Sequence, residues 1–322
     1  MSRLTNMTRL SDCVVCGTCV ADVLVRPVPL ESAVGAGRLF HVDPIEVTTG
    51  GIVCNTGVAL RRLGATVEAA AVVGEDLWAG EIRSRLTAAG VGTIAVESQR
   101  GAATSTTAAL IDAGGERSFA HHVGAAGLLD VGYLRRHEAI FARSRFAVVG
   151  YVGLLPALEP HLVEAVAVLR ATGCRVVLET GGSGGSLADL APALPGIDVF
   201  VPSLEEARLQ TGLAEPREII AVYRRRGAAG LVGVKCGTRG SVLSPEPGHV
   251  FDVPCIPAPG PVVDTTGAGD SFLAGLLAGL CLEMPVEVAA RLGAATAACC
   301  VTRMGATAGI RELPETLRLA GL

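Results

Sequence analysis

One stretch decides the predicted fold: Asp264-Thr265-Thr266-Gly267-Ala268-Gly269-Asp270. Before it, the apolar pair Val262-Val263 predicts the end of a strand, and after it residues 271–282 carry apolar side chains at helical spacing. Its glycines allow a tight turn in which a side chain would clash. The first amides of the following helix lack internal partners and, with the helix dipole, favour a bound anion. The stretch therefore predicts a strand, a glycine loop and a helix, with an anion in front of the loop.

Asp270 is unexpected there because it puts a carboxylate where a negative ligand would bind. One interpretation is structural, since Asp is favoured at helix N-termini as a cap. The other is catalytic: a general base that takes a proton from a hydroxyl group while the amides hold a phosphoryl group. The residue type alone leaves both interpretations open.

The composition of the 322-residue chain limits its function classes. A net charge of −4 and 3% aromatic residues argue against a nucleic-acid surface, which needs basic stripes and stacking rings. No uncharged apolar run reaches the ~18 residues of a membrane helix. We expect no nucleic-acid or membrane partner. No Pro- or Ser-rich linker marks a second unit, so we expect a single domain over residues 1–322.

Ten cysteines occur in the sequence. Cys13, Cys16 and Cys19 are spaced like metal or redox ligands, but they lie in a Val-rich strand pattern and no second pair with two-residue spacing follows. Free cysteine is also a common small core residue, and the spacing does not decide between these roles. A reducing, cytoplasmic location is expected for this cysteine usage.

The second half of the chain alternates between predicted strands and helices. Strands are predicted at 146–152, 175–179, 199–201 and 231–235, and helices at 161–172, 187–193, 205–211, 218–226, 271–282 and 286–301. This alternation predicts an α/β fold with a mostly parallel central sheet covered by helices on both faces. Ligands of such sheets bind beyond the carboxyl ends of the strands.

The first half is less regular. It contains predicted strands at 14–25 and 66–73, predicted helices at 52–63 and 80–89, and a hairpin of 104–112 with 117–123 across Gly114-Gly115. The turn-rich segments 18–48 and 103–123 fit the central sheet poorly. We expect them to form a small β lid.

A second motif is Gly50-Gly51-Ile52-Val53-Cys54-Asn55. Two glycines before a helix let the backbone approach a ligand closely, and Asn55 offers both a donor and an acceptor. Alone, the motif would be explained as an ordinary loop. Together with the stretch 264–270, however, it resembles the paired signatures of the ribokinase-like (PfkB) carbohydrate kinases, and the resemblance extends from residue 17 to residue 309.

The resemblance implies an ATP-dependent kinase that phosphorylates a small carbohydrate at a hydroxyl group, a primary one, with Asp270 as the general base. The implied anion hole, which also holds the ATP phosphates, consists of Thr265, Gly267, Ala268 and Gly269. The implied acceptor pocket consists of Asp22, Gly50, Gly51 and Asn55. The alternatives are a nucleoside kinase of adenosine type and a non-catalytic sugar-binding protein.

The resemblance also assigns two nucleotide segments. In Pro202-Ser203-Leu204-Glu205-Glu206, Glu206 would hold Mg²⁺ through water, and Ser203 replaces the Asn of the family. The same pair could form a capping box, and both roles are compatible. In the glycine turn after the strand 231–235, Lys235, Gly237 and Gly240 would lie along ATP.

A last segment, 301–306, resembles the one that encloses a monovalent cation in many relatives, through the backbone of Asp264, Thr266, Arg303 and Gly305. Gly309 replaces the serine that often completes this ring, so K⁺ activation stays an open question. A phosphorylated acceptor would need basic residues in the lid, for which Arg100 and Arg117 are candidates. Family habit implies a homodimer formed through the lid.

Overall fold

The computed structural model describes residues 11–31, 37–181 and 184–322. Within these ranges the strands are β1 (Ser11–Gly17), β2 (Val20–Val25), β3 (Glu46–Gly50), β4 (Val67–Gly74), β5 (Gly92–Gln99), β6 (Thr106–Ile111), β7 (Arg117–His122), β8 (Ser144–Gly150), β9 (Arg175–Glu179), β10 (Val199–Phe200), β11 (Leu231–Lys235), β12 (Ser241–Glu246) and β13 (His249–Val253). The α-helices are α1 (Gly51–Arg62), α2 (Leu77–Ala88), α3 (Val131–Arg136), α4 (Glu138–Phe141), α5 (Leu162–Ala171), α6 (Leu187–Leu190), α7 (Leu204–Thr211), α8 (Pro216–Arg225), α9 (Ala268–Cys281), α10 (Val286–Cys300) and α11 (Leu313–Ala320).

A nine-stranded sheet forms the centre of the molecule, in the order β13-β12-β11-β10-β9-β8-β1-β4-β5. The pairs from β5 to β11 are parallel, whereas β12 and β13 are antiparallel at one edge. Helices cover both faces, with α1, α9 and α10 on one and α5 and α8 on the other. This confirms the predicted α/β class with a mostly parallel sheet.

The cysteines of β1 belong to the two cores of the sheet. Cys13 packs with α1 and α9 on one face, and Cys16 packs with α5 on the opposite face. Successive residues of a strand alternate between its faces, so two residues three positions apart in one strand cannot share a ligand. Cys13, Cys16 and Cys19 are all buried free thiols.

The predicted strand end at Val262-Val263 is wrong. Both residues are exposed and lie in an irregular segment, where the Val263 amide donates to the carbonyl of Val301 after α10. Prolines at 257, 259 and 261 precede the pair. Because each proline lacks an amide donor, this approach to the glycine loop cannot form a ladder with a neighbouring strand.

A second, four-stranded sheet has the order β3-β2-β6-β7; we call it the small sheet. The predicted hairpin is confirmed, with Thr106 opposite His122 and Ile111 opposite Arg117. The predicted strand 14–25 divides at Gly17 between the two sheets. Residues 32–36, within the first segment predicted for the lid, lie outside the described residues. No helix of the described ranges is long and apolar enough to cross a membrane.

Candidate active site

The glycine loop leads directly into α9. Gly267 has φ +75°, in the left-handed region, and a Cβ added to it would lie 2.4 Å from the Cβ of Ala306. Only glycine therefore fits this turn. Within the loop, the Ala268 amide donates to the carbonyl of Thr265 at 3.2 Å. Gly267 is the N-cap residue of α9, so the capping interpretation of Asp270 is wrong.

Asp270 lies in the first turn of α9 and is only 5% exposed. Its Oδ2 accepts hydrogen bonds from Asn55 Nδ2 at 2.8 Å and from the Tyr151 phenol at 2.7 Å. Burial raises the pKa of Asp270, and the hydrogen bonds from Tyr151 and Asn55 offset part of that rise. A buried carboxylate held in one orientation, with a raised pKa, has the properties of a general base.

Lys235 and Glu179 form a buried ion pair at the carboxyl ends of β11 and β9. A Cβ built on Gly269 would lie 3.3 Å from Lys235 Nζ, so the ammonium group faces the glycine loop. Burial raises the pKa of Glu179 to about 8, although Lys235 opposes that rise. Burial also opposes the charge on Lys235, but the negative charges of Glu179 and Glu206 outweigh it and raise the pKa of the lysine.

Ser203 and Glu206 form the predicted capping box at the start of α7. Ser203 Oγ accepts from the Glu206 amide at 3.2 Å, and Glu206 Oε2 accepts from the Ser203 amide at 2.8 Å. Both residues also line the cavity in front of the glycine loop. The two residues therefore cap α7, and they also lie beside the cavity in which the ATP phosphates are expected.

This cavity has a volume of about 680 Å³, within the range of small-molecule pockets. The predicted residues that line it are Ser203, Glu206, Lys235, Gly237, Gly240, Thr265, Gly267, Ala268, Gly269 and Asp270. Its other wall is apolar and includes Ile256, Ala294, Ala297, Ala298 and Val301. A molecule with an anionic end and a flat apolar end would match both walls.

The predicted acceptor residues lie on the small sheet and α1. A Cβ added to Gly50 would lie 2.1 Å from Asp22 Oδ2, so the carboxylate packs directly against that glycine. Gly51 has φ +80° and begins α1. Burial raises the pKa of Asp22 to about 6, and a hydrogen bond from Thr107 opposes the rise. Asn55 belongs to this group and donates a hydrogen bond to Asp270. The residues predicted to bind the acceptor and the predicted general base are therefore in direct contact.

The residues predicted around a cation gather at the side chain of Asp264. Asp264 Oδ1 accepts from the Thr266 amide and Oδ2 from the Gly305 amide, each at 2.7 Å. Arg303 is exposed on the same loop. The guanidinium group of Arg117, from the small sheet, pairs with Asp264 at 2.8 Å. The structure thus brings a residue of the predicted lid to this loop.

Sequence reasoning missed two side chains of the site. Glu179 ends a buried parallel strand, which is where ligands of such sheets bind, so its position was the available signal. Tyr151 adopts a left-handed conformation with φ 60°. Bulky residues seldom do so, and no pattern in the sequence indicates it.

The family model of the pfkB family carbohydrate kinases matches residues 11–313 of the chain. The ribokinase of Haemophilus influenzae is 28% identical over 290 residues, 87% of this chain and 90% of that protein. The ribokinase of Arabidopsis thaliana, solved with ribose and ATP, superposes with a TM-score of 0.83 at 22% identity, covering 97% of this chain and 99% of that one. A putative ribokinase II of E. coli, solved with ATP and Mg²⁺, has a TM-score of 0.79 at 22% identity, with 97% and 99% covered.

Proposed function

Because this chain belongs to the pfkB family of carbohydrate kinases, we propose that it transfers the γ-phosphoryl group of ATP to a primary hydroxyl group of a small carbohydrate, with Asp270 as the general base. One observation carries the proposal. Asp270 is a buried carboxylate with a raised pKa, placed two residues into a helix that begins at a glycine loop. The transfer requires a group that removes a proton and a site that binds phosphate. In the proposal Asp270 is the first, and the adjacent glycine loop is the second.

In the proposed reaction, Asp270 takes the proton of the acceptor hydroxyl. The oxygen then forms a bond to the γ-phosphorus while the bond from that phosphorus to the bridging oxygen breaks, and ADP leaves. Backbone amides of the glycine loop and the ammonium group of Lys235, which faces Gly269, stabilise the transferring charge. Asn55 and Tyr151 keep the carboxylate oriented toward the hydroxyl group.

The resemblance also implies Mg²⁺, and the residues present fit it. Mg²⁺ is usually held by one or two carboxylates together with substrate phosphates and water. Glu206 and Glu179 both line the cavity, and Glu179 Oε2 is buried without a hydrogen-bond partner in the described part of the chain. We assign these two carboxylates to the ion. When bound, it neutralises phosphate charge.

For the acceptor, we propose that Asp22, Gly50 and Asn55 bind the sugar hydroxyl groups and that the small sheet acts as a lid over them. An ionised carboxylate accepts hydrogen bonds from two neighbouring hydroxyl groups. The close packing of Asp22 on Gly50 fixes its orientation. We extend the proposal to a homodimer formed through the small sheet and to a cytoplasmic location, which the ten free cysteines favour.

The test is ATP consumption with a panel of pentoses, hexoses, keto-sugar acids, phosphosugars and nucleosides. Asp270→Asn should retain ATP binding, measured by calorimetry, and lose turnover by about 10²–10⁴-fold, the usual contribution of a general base. Asp130→Asn is the matched control. Asp130 caps α3, and Asn caps a helix equally well, so that variant should keep the wild-type rate.

Near-normal turnover in Asp270→Asn would contradict the assignment of the base. If only nucleosides supported turnover, the proposed acceptor would be a nucleoside and not a sugar. ATP binding without consumption on any acceptor would favour a non-catalytic sugar-binding protein.

A further inference from the structure

Arg117 links the small sheet to the loop before α9. It begins β7, beside the turn of the β6–β7 hairpin. Its Nη2 lies 2.8 Å from Asp264 Oδ1, its Nη1 donates to Thr266 Oγ1, and Met304 Sδ lies 3.8 Å from Nη2. The side chain of Arg117 is 18% exposed and that of Asp264 is 2% exposed. The pair is thus largely removed from solvent.

The residues around Asp264 do not fit the monovalent cation that the family resemblance implies. Both oxygens of Asp264 already have partners within the protein: Oδ1 contacts Arg117 and the Thr266 amide, and Oδ2 accepts from the Gly305 amide. A positive charge, the guanidinium group of Arg117, is therefore already in contact with the carboxylate. A monovalent cation bound to the same carboxylate would be repelled by that guanidinium group.

Two further contacts oppose a ring of oxygen ligands. The Cys300 thiol lies 3.4 Å from the carbonyl oxygen of Thr266 and 3.1 Å from that of Ala306. A Cβ added to Gly309 would lie 2.4 Å from the carbonyl oxygen of Cys299. The serine that completes the ring in many relatives would therefore clash with this backbone.

We propose that the guanidinium group of Arg117 takes the place of the monovalent cation, so that the enzyme works without K⁺ and the glycine loop is ordered by the small sheet itself. The inference rests on the proposed kinase function. Arg117 is a positioning residue. It neutralises Asp264, and Asp264 in turn holds the amides of Thr266 and Gly305 on either side of the turn at Gly267.

This arrangement differs from a free cation in one respect. A cation can bind whether or not the acceptor site is covered, whereas residue 117 reaches Asp264 only when the hairpin lies against the loop. The planar fork of the guanidinium group contacts Asp264 and Thr266 at the same time, which the point charge of lysine cannot reproduce.

The experiment compares wild type, Arg117→Ala and Arg117→Lys in chlorides of K⁺, Na⁺, Cs⁺ and tetramethylammonium at one ionic strength. Turnover is measured with whichever acceptor supports ATP consumption in the panel, and the thermal unfolding midpoint is measured without substrate. Arg26→Gln is the matched control. Arg26 directly follows β2 of the small sheet, and it pairs with Glu46 at 3.3 Å on the exposed surface, where such pairs contribute little.

Wild type and Arg26→Gln should show equal turnover and equal midpoints in K⁺ and tetramethylammonium. Arg117→Ala should be slower by roughly ten- to a hundredfold in tetramethylammonium, the loss expected for one charge-assisted contact. K⁺ should restore part of its turnover and raise its midpoint, because Asp264 is then left without a counter-charge. Arg117→Lys should be intermediate and insensitive to K⁺.

Three results would overturn the proposal. The first is a saturable activation of wild type by K⁺, accompanied by a higher midpoint. The second is an Arg117→Ala variant with wild-type turnover, and the third is an Arg117→Ala variant whose lost turnover and lowered midpoint do not respond to any cation. The midpoints require no substrate, so they decide the cation question even if every acceptor fails. Arg117→Lys keeps the charge and supplies a folded variant if Arg117→Ala does not fold.

Discussion

Tyr151 adopts a backbone conformation that bulky side chains seldom adopt, with φ 60° and ψ 46°. Such a conformation costs on the order of 1–3 kcal/mol and persists when the surrounding structure imposes it. Here it immediately follows β8 and directs the phenol to Asp270 Oδ2 at 2.7 Å. Strain of this kind is often found at functional sites, and in this chain it positions a hydrogen-bond donor on the proposed base.

Tyr151→Phe should move the acid limb of the pH profile of kcat/KM to higher pH. The hydrogen bond from Tyr151 lowers the pKa of Asp270. Without it the pKa rises, and the base stays protonated to a higher pH. On the alkaline plateau, turnover should approach that of wild type.

The control for this profile is Tyr133→Phe, which removes a phenol that donates to the carbonyl of Ala95 outside the site. It should leave the acid limb in place. An unchanged limb in Tyr151→Phe, or an equal displacement in both variants, would show that the Tyr151 hydroxyl does not tune the base.

At the scale of elements, α9 and α10 pack through glycines. A Cβ added to Gly275 would lie 2.4 Å from Thr296 Oγ1 and 2.7 Å from the Cα of Gly293. Gly275→Ala should therefore lower the free energy of unfolding by about 1–3 kcal/mol, the usual cost of overpacking a core. Urea-induced unfolding measures the change.

Gly80→Ala is the matched control, in α2. No heavy atom lies within 4 Å of a Cβ added there, and alanine favours a helix interior over glycine by about 0.5–1 kcal/mol. This variant should be slightly more stable than wild type. If Gly275→Ala were equally stabilising, the two helices would have room to separate, and the close contact would not contribute to stability.

The accuracy of the sequence predictions follows the position of each element in the sheet. The bounds of β9 and β11 were predicted correctly because both strands are buried on two faces and so appear as apolar runs. β5 was missed. It lies at an edge, with Ile94 exposed, and an edge strand lacks such a run. The antiparallel strands β12 and β13 were missed as well. Of these, β13 is the opposite edge strand, whereas β12 lies between β11 and β13.

The same distinction applies to the site. The glycine loop and the capping box of Ser203 and Glu206 could be predicted because their hydrogen bonds join residues close in sequence. The contacts of Tyr151 with Asp270 and of Arg117 with Asp264 depend on how distant segments pack. Arg117 was a candidate for binding a phosphorylated acceptor, and no local pattern indicates its contact with Asp264.

At the scale of the whole molecule, the small sheet has an open edge. In β7 the residues after Arg117 are exposed, and among them Phe119 is 62% exposed. Exposed edge strands with apolar side chains favour association. If the proposed homodimer forms there, Phe119→Asp should convert the dimer to a monomer in sedimentation equilibrium, because a charge would be buried in the interface.

Leu209→Asp serves as the control, since Leu209 is 69% exposed on α7, away from the small sheet. This variant should remain dimeric. A monomeric wild type at all concentrations, or a dimeric Phe119→Asp variant, would remove the small sheet as the interface.

The hydrogen bond between Asn55 and Asp270 joins residues 215 positions apart, and α1 packs on α9 within one core. Contacts so distant in sequence are slow to form because a long loop must close first. During synthesis the N-terminal segment is completed first. In that segment α1 can pack on β1 and β4, but the face of α1 that packs on α9 has no partner until α9 has been made. We therefore expect the nascent chain to expose this face for most of its synthesis and to depend on chaperones more than a protein of the same size with local contacts.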